Sequence, residues 1–268
     1  MVSFPPCKIN LGLHVVAKRS DGYHDIETCF FPVPWTDVLE IIPSSDFQFS
    51  SSGITIPGSE NDNLCIKAYV LMRDAYQLPP VKIHLHKIIP MGAGLGGGSS
   101  DAAHTLRLLN AIFEINLSPE QLRVHAAQLG SDCSFFVGDE PLLGTGRGEI
   151  LTPAAVSITG YHLVLVKPNV HVSTKDAYAG LSPKKPTYAI KEVLNCPVAD
   201  WQKMLVNDFE PTVFAKFPEI EKTKKRLMDL GALYACMSGS GATVFALFEK
   251  PASLKSEFSG CDYWEAPL

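Results

Sequence analysis

The run Gly92-Ala93-Gly94-Leu95-Gly96-Gly97-Gly98 constrains this chain more than any other stretch, because five of its seven residues are glycine. Glycine loses the most conformational freedom on folding, so such a run weakens a fold unless a close backbone approach compensates. Val81 to Ile89 before it reads as a strand. Ser99 to Phe113 after it reads as a helix, with Ala102, Leu106, Leu109 and Phe113 on one side. Strand, glycine loop and helix in that order offer free N–H groups and a positive helix end, and phosphate oxygens suit both. The hydroxyls of Ser99 and Ser100 fit three roles equally: helix cap, phosphate contact or Mg²⁺ contact.

Two other glycine signatures compete. Gly92, Gly94 and Gly97 satisfy G-x-G-x-x-G, and Glu114 stands about twenty residues from the loop, as a dinucleotide site requires. Against that reading, Pro90 interrupts the passage from strand to loop, and the preceding sequence lacks a βαβ rhythm. A Walker loop fails because Gly98 is not followed by Lys and then Ser or Thr.

The flanking sequence is β-rich at first. Cys7, Ile9, Leu11, Leu13 and Val15 alternate with Lys8, Asn10, Gly12 and His14, which predicts a strand with one apolar and one polar face. Further strands are expected at Val38 to Ile42 and, more weakly, around Phe47 to Ile56. A helix is expected over Leu64 to Gln77, stopped by Pro79-Pro80. Ser118-Pro119-Glu120-Gln121 is a capping box, and the helix it opens, closed at Gly130, delivers the chain to Asp132. Beyond the Gly144 to Gly148 turn, a second domain is expected from residue 155. Its strands are His162 to Val166, Leu233 to Met237 and Ala242 to Phe248, with helices between and a Ser-Gly-Ser-Gly turn. His84 and His86 lie two apart on a strand and read as part of a polar face rather than as metal ligands.

With 46% hydrophobic and 19% charged residues, the 268-residue chain can bury a substantial core. Its net charge of −5 and scattered basic residues argue against nucleic acid or acidic lipid as a partner. Seven widely spaced cysteines without a C-x-x-C pair fit free thiols in a reducing compartment, so a cytoplasmic location is expected. No signal segment or membrane-spanning run is evident.

Three separated motifs now line up: Lys8-Ile9-Asn10-Leu11, the loop from Pro90 and Met91 through Ser100, and Ser238-Gly239-Ser240-Gly241-Ala242. Together they resemble the galactokinase, homoserine kinase, mevalonate kinase and phosphomevalonate kinase superfamily. Within it, Arg19-Ser20-Asp21-Gly22-Tyr23-His24, the tripled glycine and Leu129-Gly130-Ser131-Asp132-Cys133-Ser134-Phe135-Phe136 resemble the cytidyl-alcohol kinase branch.

The resemblance implies an α+β, two-domain small-molecule kinase. Residues 1–154 would form a β-rich α/β domain of ribosomal-protein-S5-like type, and residues 155–268 a ferredoxin-like α+β domain. It implies transfer of the ATP γ-phosphoryl group, with Mg²⁺, to the 2-hydroxyl of 4-diphosphocytidyl-2-C-methyl-D-erythritol in non-mevalonate isoprenoid precursor synthesis. The expected partner is that small molecule, with no nucleic acid and no membrane, and the chain is expected as a monomer or weak homodimer. Lys8 and Asp132 would be catalytic, and Pro90, Met91, Gly92, Ala93, Gly94, Leu95, Gly96, Gly97, Gly98, Ser99 and Ser100 would hold ATP. Asn63 would meet the adenine; Asn10, Tyr23, His24 and Tyr178 would meet the cytidyl substrate. Relatives often carry Phe where Tyr178 stands. Gly239, Ser240 and Gly241 would buttress the loop, and the Mg²⁺ ligands stay open.

Each of these residues also has a plainer reading. Lys8 can be a solvated strand lysine, Asp132 the cap of a short helix starting at Cys133, Asn63 a helix N-cap, and Gly239 and Gly241 a simple turn. Two further functions compete: another small-alcohol kinase of the homoserine or mevalonate type, and a nucleotide-binding regulator without turnover.

Overall fold

The computed structural model describes all residues, 1–268. In chain order the elements begin β1 (Val2–Ser3), β2 (Pro6–Lys18), β3 (His24–Thr36), β4 (Val38–Pro43), β5 (Gln48–Gly53), α1 (Leu64–Tyr76) and β6 (Val81–Lys87). They continue with α2 (Gly97–Ile112), α3 (Pro119–Leu129), β7 (Leu142–Thr145), β8 (Ile150–Pro153), β9 (His162–Lys167) and α4 (Thr174–Tyr178). The remainder are α5 (Ile190–Val193), α6 (Val198–Met204), α7 (Glu210–Lys216), α8 (Pro218–Asp229), β10 (Tyr234–Met237), β11 (Val244–Phe248) and β12 (Asp262–Pro267). They fall into two compact units whose segments interleave: Met1–Lys8, Pro32–Met91 and Gly96–Glu140 form the first, and Ile9–Phe31, Gly92–Leu95 and Pro141–Leu268 the second. No helix is long and apolar enough to cross a membrane.

In the first unit a sheet of order β1-β4-β6-β5 is antiparallel except for the parallel β5–β6 pair. Along β6 the period of two holds: Val81, Ile83 and Leu85 are buried, and Lys87 continues the buried phase. Helices α1 and α2 pack on each other, with Ala68, Tyr69 and Met72 buried on α1 and Ala102, Leu106 and Leu109 buried on α2. Each large apolar side chain removed from water contributes roughly 1.5–3 kcal/mol. Local signals set the helix ends. Asn63 caps α1 by accepting the Cys65 N–H at 2.8 Å, and Ser118 with Gln121 forms the expected capping box on α3.

The second unit holds a sheet of order β2-β3-β7-β8 and another of order β10-β11-β9-β12. The latter is antiparallel throughout, with helices α4 to α8 filling the first crossover. That is the strand order of a ferredoxin-like α+β layer, its second crossover reduced to a 3-10 turn at Lys255–Phe258. Val164, Val166, Val244 and Ala246 share a core with Val213, Ile220 and Leu227 of the helices.

One expectation needs correction. The alternation along β2 predicts a polar face, yet Lys8, Asn10 and His14 are buried along with Cys7, Ile9, Leu11, Leu13 and Val15. The strand is covered on both sides, so its polar residues need partners rather than water. A solvated Lys8 is thereby excluded.

Candidate active site

Helix α2 begins at Gly97, two residues earlier than its periodicity predicts, and its N-cap is Gly96 in the left-handed conformation at φ 70°. No side chain caps this end. The Ser100 Oγ is buried without a partner. The first N–H groups of a helix have no intrahelical acceptor, so this end keeps its donors for something else. A Cβ on Gly96 would lie 3.0 Å from the Phe136 ring and 3.2 Å from Lys8 Cε, so glycine lets the lysine pack on the helix start. Gly98 differs, since a Cβ there would meet nothing nearer than Leu64 Cδ1 at 3.9 Å.

Lys8 is almost wholly buried, and its Nζ lies 3.7 Å from Asp132 Oδ2; the Asp132 side chain is about one-third exposed, at 32%. Burial pulls the lysine pKa down, and the Asp132 charge opposes that pull without overcoming it. Asp132 does not cap a helix. The chain turns through 131–134, and the following 3-10 turn, Phe135–Val137, has Ser134 at its start with no side-chain cap. The carboxylate therefore faces Lys8 for a reason other than local backbone geometry.

Behind the helix start lies an ion cluster that motif reading missed. Lys87 Nζ donates to Asp101 Oδ2 at 2.8 Å and to Asp37 Oδ2, all three side chains being buried. Asp37 Oδ1 also accepts the backbone N–H groups of Ile88 and Ile89, at 2.5 and 2.8 Å. Burial alone would lower the Lys87 pKa, but Asp101 and Asp37 together hold it above the usual lysine value. Asp101 is pushed upward by its burial, with Lys87 pulling the other way and Asp37 adding to the rise. The legible signal was Lys87 itself, a charge placed on the apolar phase of a strand. Lys87, Asp101, Asn63, Leu64, Met91 and Gly98 line a cavity of about 160 Å³.

In the second unit, Asn10 Nδ2 donates to Thr28 Oγ1 at 2.9 Å, and Thr28 donates onward to the Gly12 carbonyl at 2.6 Å. Ser238 and Thr243 meet the front of the glycine loop. Ser238 Oγ donates to the Gly94 carbonyl at 2.9 Å, and the Thr243 N–H to the Ala93 carbonyl at 3.2 Å. A Cβ on Gly94 would collide with the Ser238 carbonyl, so this approach requires glycine. Gly239, Ser240 and Gly241 form the tip of that turn, closed by Gly241 N–H to the Ser238 carbonyl at 2.9 Å.

His24 stacks on Tyr178, with ring centroids 4.6 Å apart and planes 23° from parallel, and Tyr178 in turn meets Phe209 edge-on. Tyr23 does not join them. It is 56% exposed and follows the turn that precedes β3, with the Arg147 guanidinium 4.9 Å from its ring centre. His84 of the polar strand face is hydrogen-bonded to Ser50 and Ser52.

Comparison with known proteins adds to this geometry. The GHMP kinases N terminal domain model matches residues 63–138, and the GHMP kinases C terminal model matches residues 190–259. The chain is 48% identical over 270 residues to a 4-diphosphocytidyl-2-C-methyl-D-erythritol kinase of Cytophaga hutchinsonii, covering 100% of both chains. It superposes on a crystal structure of 4-(cytidine 5'-diphospho)-2C-methyl-D-erythritol kinase with a TM-score of 0.86 and 32% identity, over 99% of this chain and 98% of that one. Homoserine kinase from Cytophaga hutchinsonii shares the fold alone, with a TM-score of 0.71 at 17% identity over 100% of this chain and 94% of that one. The chain belongs to the 4-diphosphocytidyl-2-C-methyl-D-erythritol kinase family, a branch of the GHMP kinases.

Proposed function

We propose that this protein transfers the γ-phosphoryl group of ATP to the 2-hydroxyl of 4-diphosphocytidyl-2-C-methyl-D-erythritol, a step of non-mevalonate isoprenoid precursor synthesis. One observation carries the chemistry: buried Lys8 packs on the glycine that opens α2 and reaches toward the partly exposed carboxylate of Asp132. A helix N-terminus, a cation and a carboxylate thus converge within one unit. Phosphoryl transfer needs alignment and charge neutralisation more than covalent help.

The N–H groups from Met91 to Ser99 bind the phosphates, with the Ser100 side chain beside them, and the cavity beside Asn63 takes the adenine. Asp132 accepts a hydrogen bond from the substrate 2-hydroxyl and takes its proton as the oxygen attacks. The new O–P bond forms as the bond from γ-phosphorus to the β–γ bridging oxygen breaks, and ADP leaves with that electron pair. Lys8 offsets the negative charge on the transferring group.

Mg²⁺ bound with ATP takes most of its ligands from phosphate and water. The Ser100 hydroxyl, buried and unpartnered at the helix start, is the side-chain oxygen that fits such an ion, which would neutralise phosphate charge. His24 and Tyr178 are read as the cytosine slot, with Asn10 and Tyr23 beside the rest of the substrate. The rings touch in this structure, and a base is about 3.4 Å thick, so the pair must part to admit it. Seven free thiols agree with a cytoplasmic setting.

The test is ADP release measured against a panel of the cytidyl alcohol, homoserine and mevalonate. Turnover is expected with the first; preference for either other alcohol would refute the substrate assignment.

A further inference from the structure

Asn207 stands outside every motif that the function uses, yet both donors of its side-chain amide are spent on one turn. It is buried, its Nδ2 donates to the Met237 and Gly239 carbonyls at 2.8 Å each, and its Oδ1 accepts the Phe209 N–H at 2.9 Å. Its backbone neighbours are tied to strand β2, Leu13 N–H donating to the Val206 carbonyl and Asp208 N–H to the Leu13 carbonyl, both at 2.9 Å. The carbonyls it holds flank Ser238, whose hydroxyl donates to the Gly94 carbonyl, and the same turn returns through Thr243 to the Ala93 carbonyl.

We infer that Asn207 is a positioning residue for phosphate binding: its amide fixes the Met237–Thr243 turn, and that turn fixes which way the glycine-loop peptides face. A peptide whose carbonyl is held on one side presents its N–H on the other, so two carbonyls engaged by Ser238 and Thr243 orient the N–H groups that follow them. Because those peptides run straight into the N-terminus of α2, a loosened turn blurs the donor set without touching the nucleotide. This inference rests on the phosphate-cradle reading above.

The test is calorimetric titration of the full chain with a non-hydrolysable ATP analogue and, separately, with cytidine diphosphate. Asn207→Asp keeps the acceptor for Phe209 but sets an oxygen against two carbonyls, leaving buried acceptors unpaired. It is expected to raise the Kd of the ATP analogue about 10-fold or more while changing that of cytidine diphosphate less than about threefold. Leu227→Ala, a core truncation on α8 that removes none of these hydrogen bonds, is expected to lower the melting temperature and leave both Kd values unchanged. If Asn207→Asp behaves as Leu227→Ala does, the inference is overturned. Should Asn207→Asp not fold, Ser238→Ala cuts the same link from the other side. A raised Kd for the ATP analogue alone supports the inference, and an unchanged one overturns it. A wild-type protein that binds cytidine diphosphate but not the ATP analogue would instead remove the phosphate-cradle reading, and this inference with it.

Discussion

Lys8 Nζ sits 3.7 Å from Asp132 Oδ2, one partner buried and the other about one-third exposed. The pair joins a strand near the N-terminus to a turn more than a hundred residues later, and each residue makes a distinct demand on activity. Asp132→Asn preserves shape and removes the proposed proton acceptor. Its kcat is expected to fall about 10²–10⁴-fold, with the affinity for an ATP analogue within twofold of wild type, measured by steady-state assay and titration.

Lys8 has its pKa lowered chiefly by burial. The proposed role needs the charged form, so activity should be lost as pH rises through that lowered value. The alkaline limb of kcat against pH is therefore expected below the ordinary lysine value of about 10.4. Lys8→Arg, which stays protonated, should retain only part of the activity but lose that limb. A limb unchanged in Lys8→Arg would assign it to another group.

Tyr178 stacks on His24 across 4.6 Å. Tyr178→Phe keeps the ring and is expected to keep near-normal KM values. Tyr178→Ala should raise KM for the cytidyl alcohol about 5- to 100-fold, the worth of one base–aromatic stack, with KM for ATP little changed. Equal loss for both substrates would point to a disturbed fold.

Gly98 has room for a Cβ and lies on the lining of the cavity assigned to adenine. Gly98→Ala is expected to leave thermal stability intact, since alanine is the better helix former by about 1 kcal/mol. It should nevertheless weaken ATP binding, because the methyl group enters the nucleotide's space. Titration and thermal melting of one variant read both effects.

Lys87→Met strands two buried carboxylates, and breaking such a cluster costs about 3–5 kcal/mol, or a melting temperature lower by about 10 °C. Burial already pushes the Asp101 pKa upward against the pull of Lys87, and with the cation gone that upward push is unopposed. The variant should then be more stable at pH 5 than at pH 8, losing stability as pH rises through that window. Thermal melts across pH check the sign.

The glycine loop, the helices on either side of it and the strands β9, β10 and β11 of the second unit were legible because each has a local cause: periodicity, a capping box, a turn. Asn63 and Ser118 announce their helices in the same way. The ion cluster and Asn207 were not legible as partners. Asp37, Lys87 and Asp101 meet only through the sheet and helix packing, and Asn207 acts on a turn thirty residues further on. The burial of Lys8, Asn10 and His14 was hidden for a related reason, because alternation reports one covered face and is silent about a second.

The claim that Asp132 receives the substrate proton beside an ATP held by α2 is tested most directly by a single-turnover rapid quench of wild type and Asp132→Asn, with both substrates saturating. The account expects stoichiometric phosphorylated cytidyl alcohol and ADP from wild type, and a rate at least about a hundredfold slower from the variant. Product formed at the wild-type rate by Asp132→Asn would contradict it.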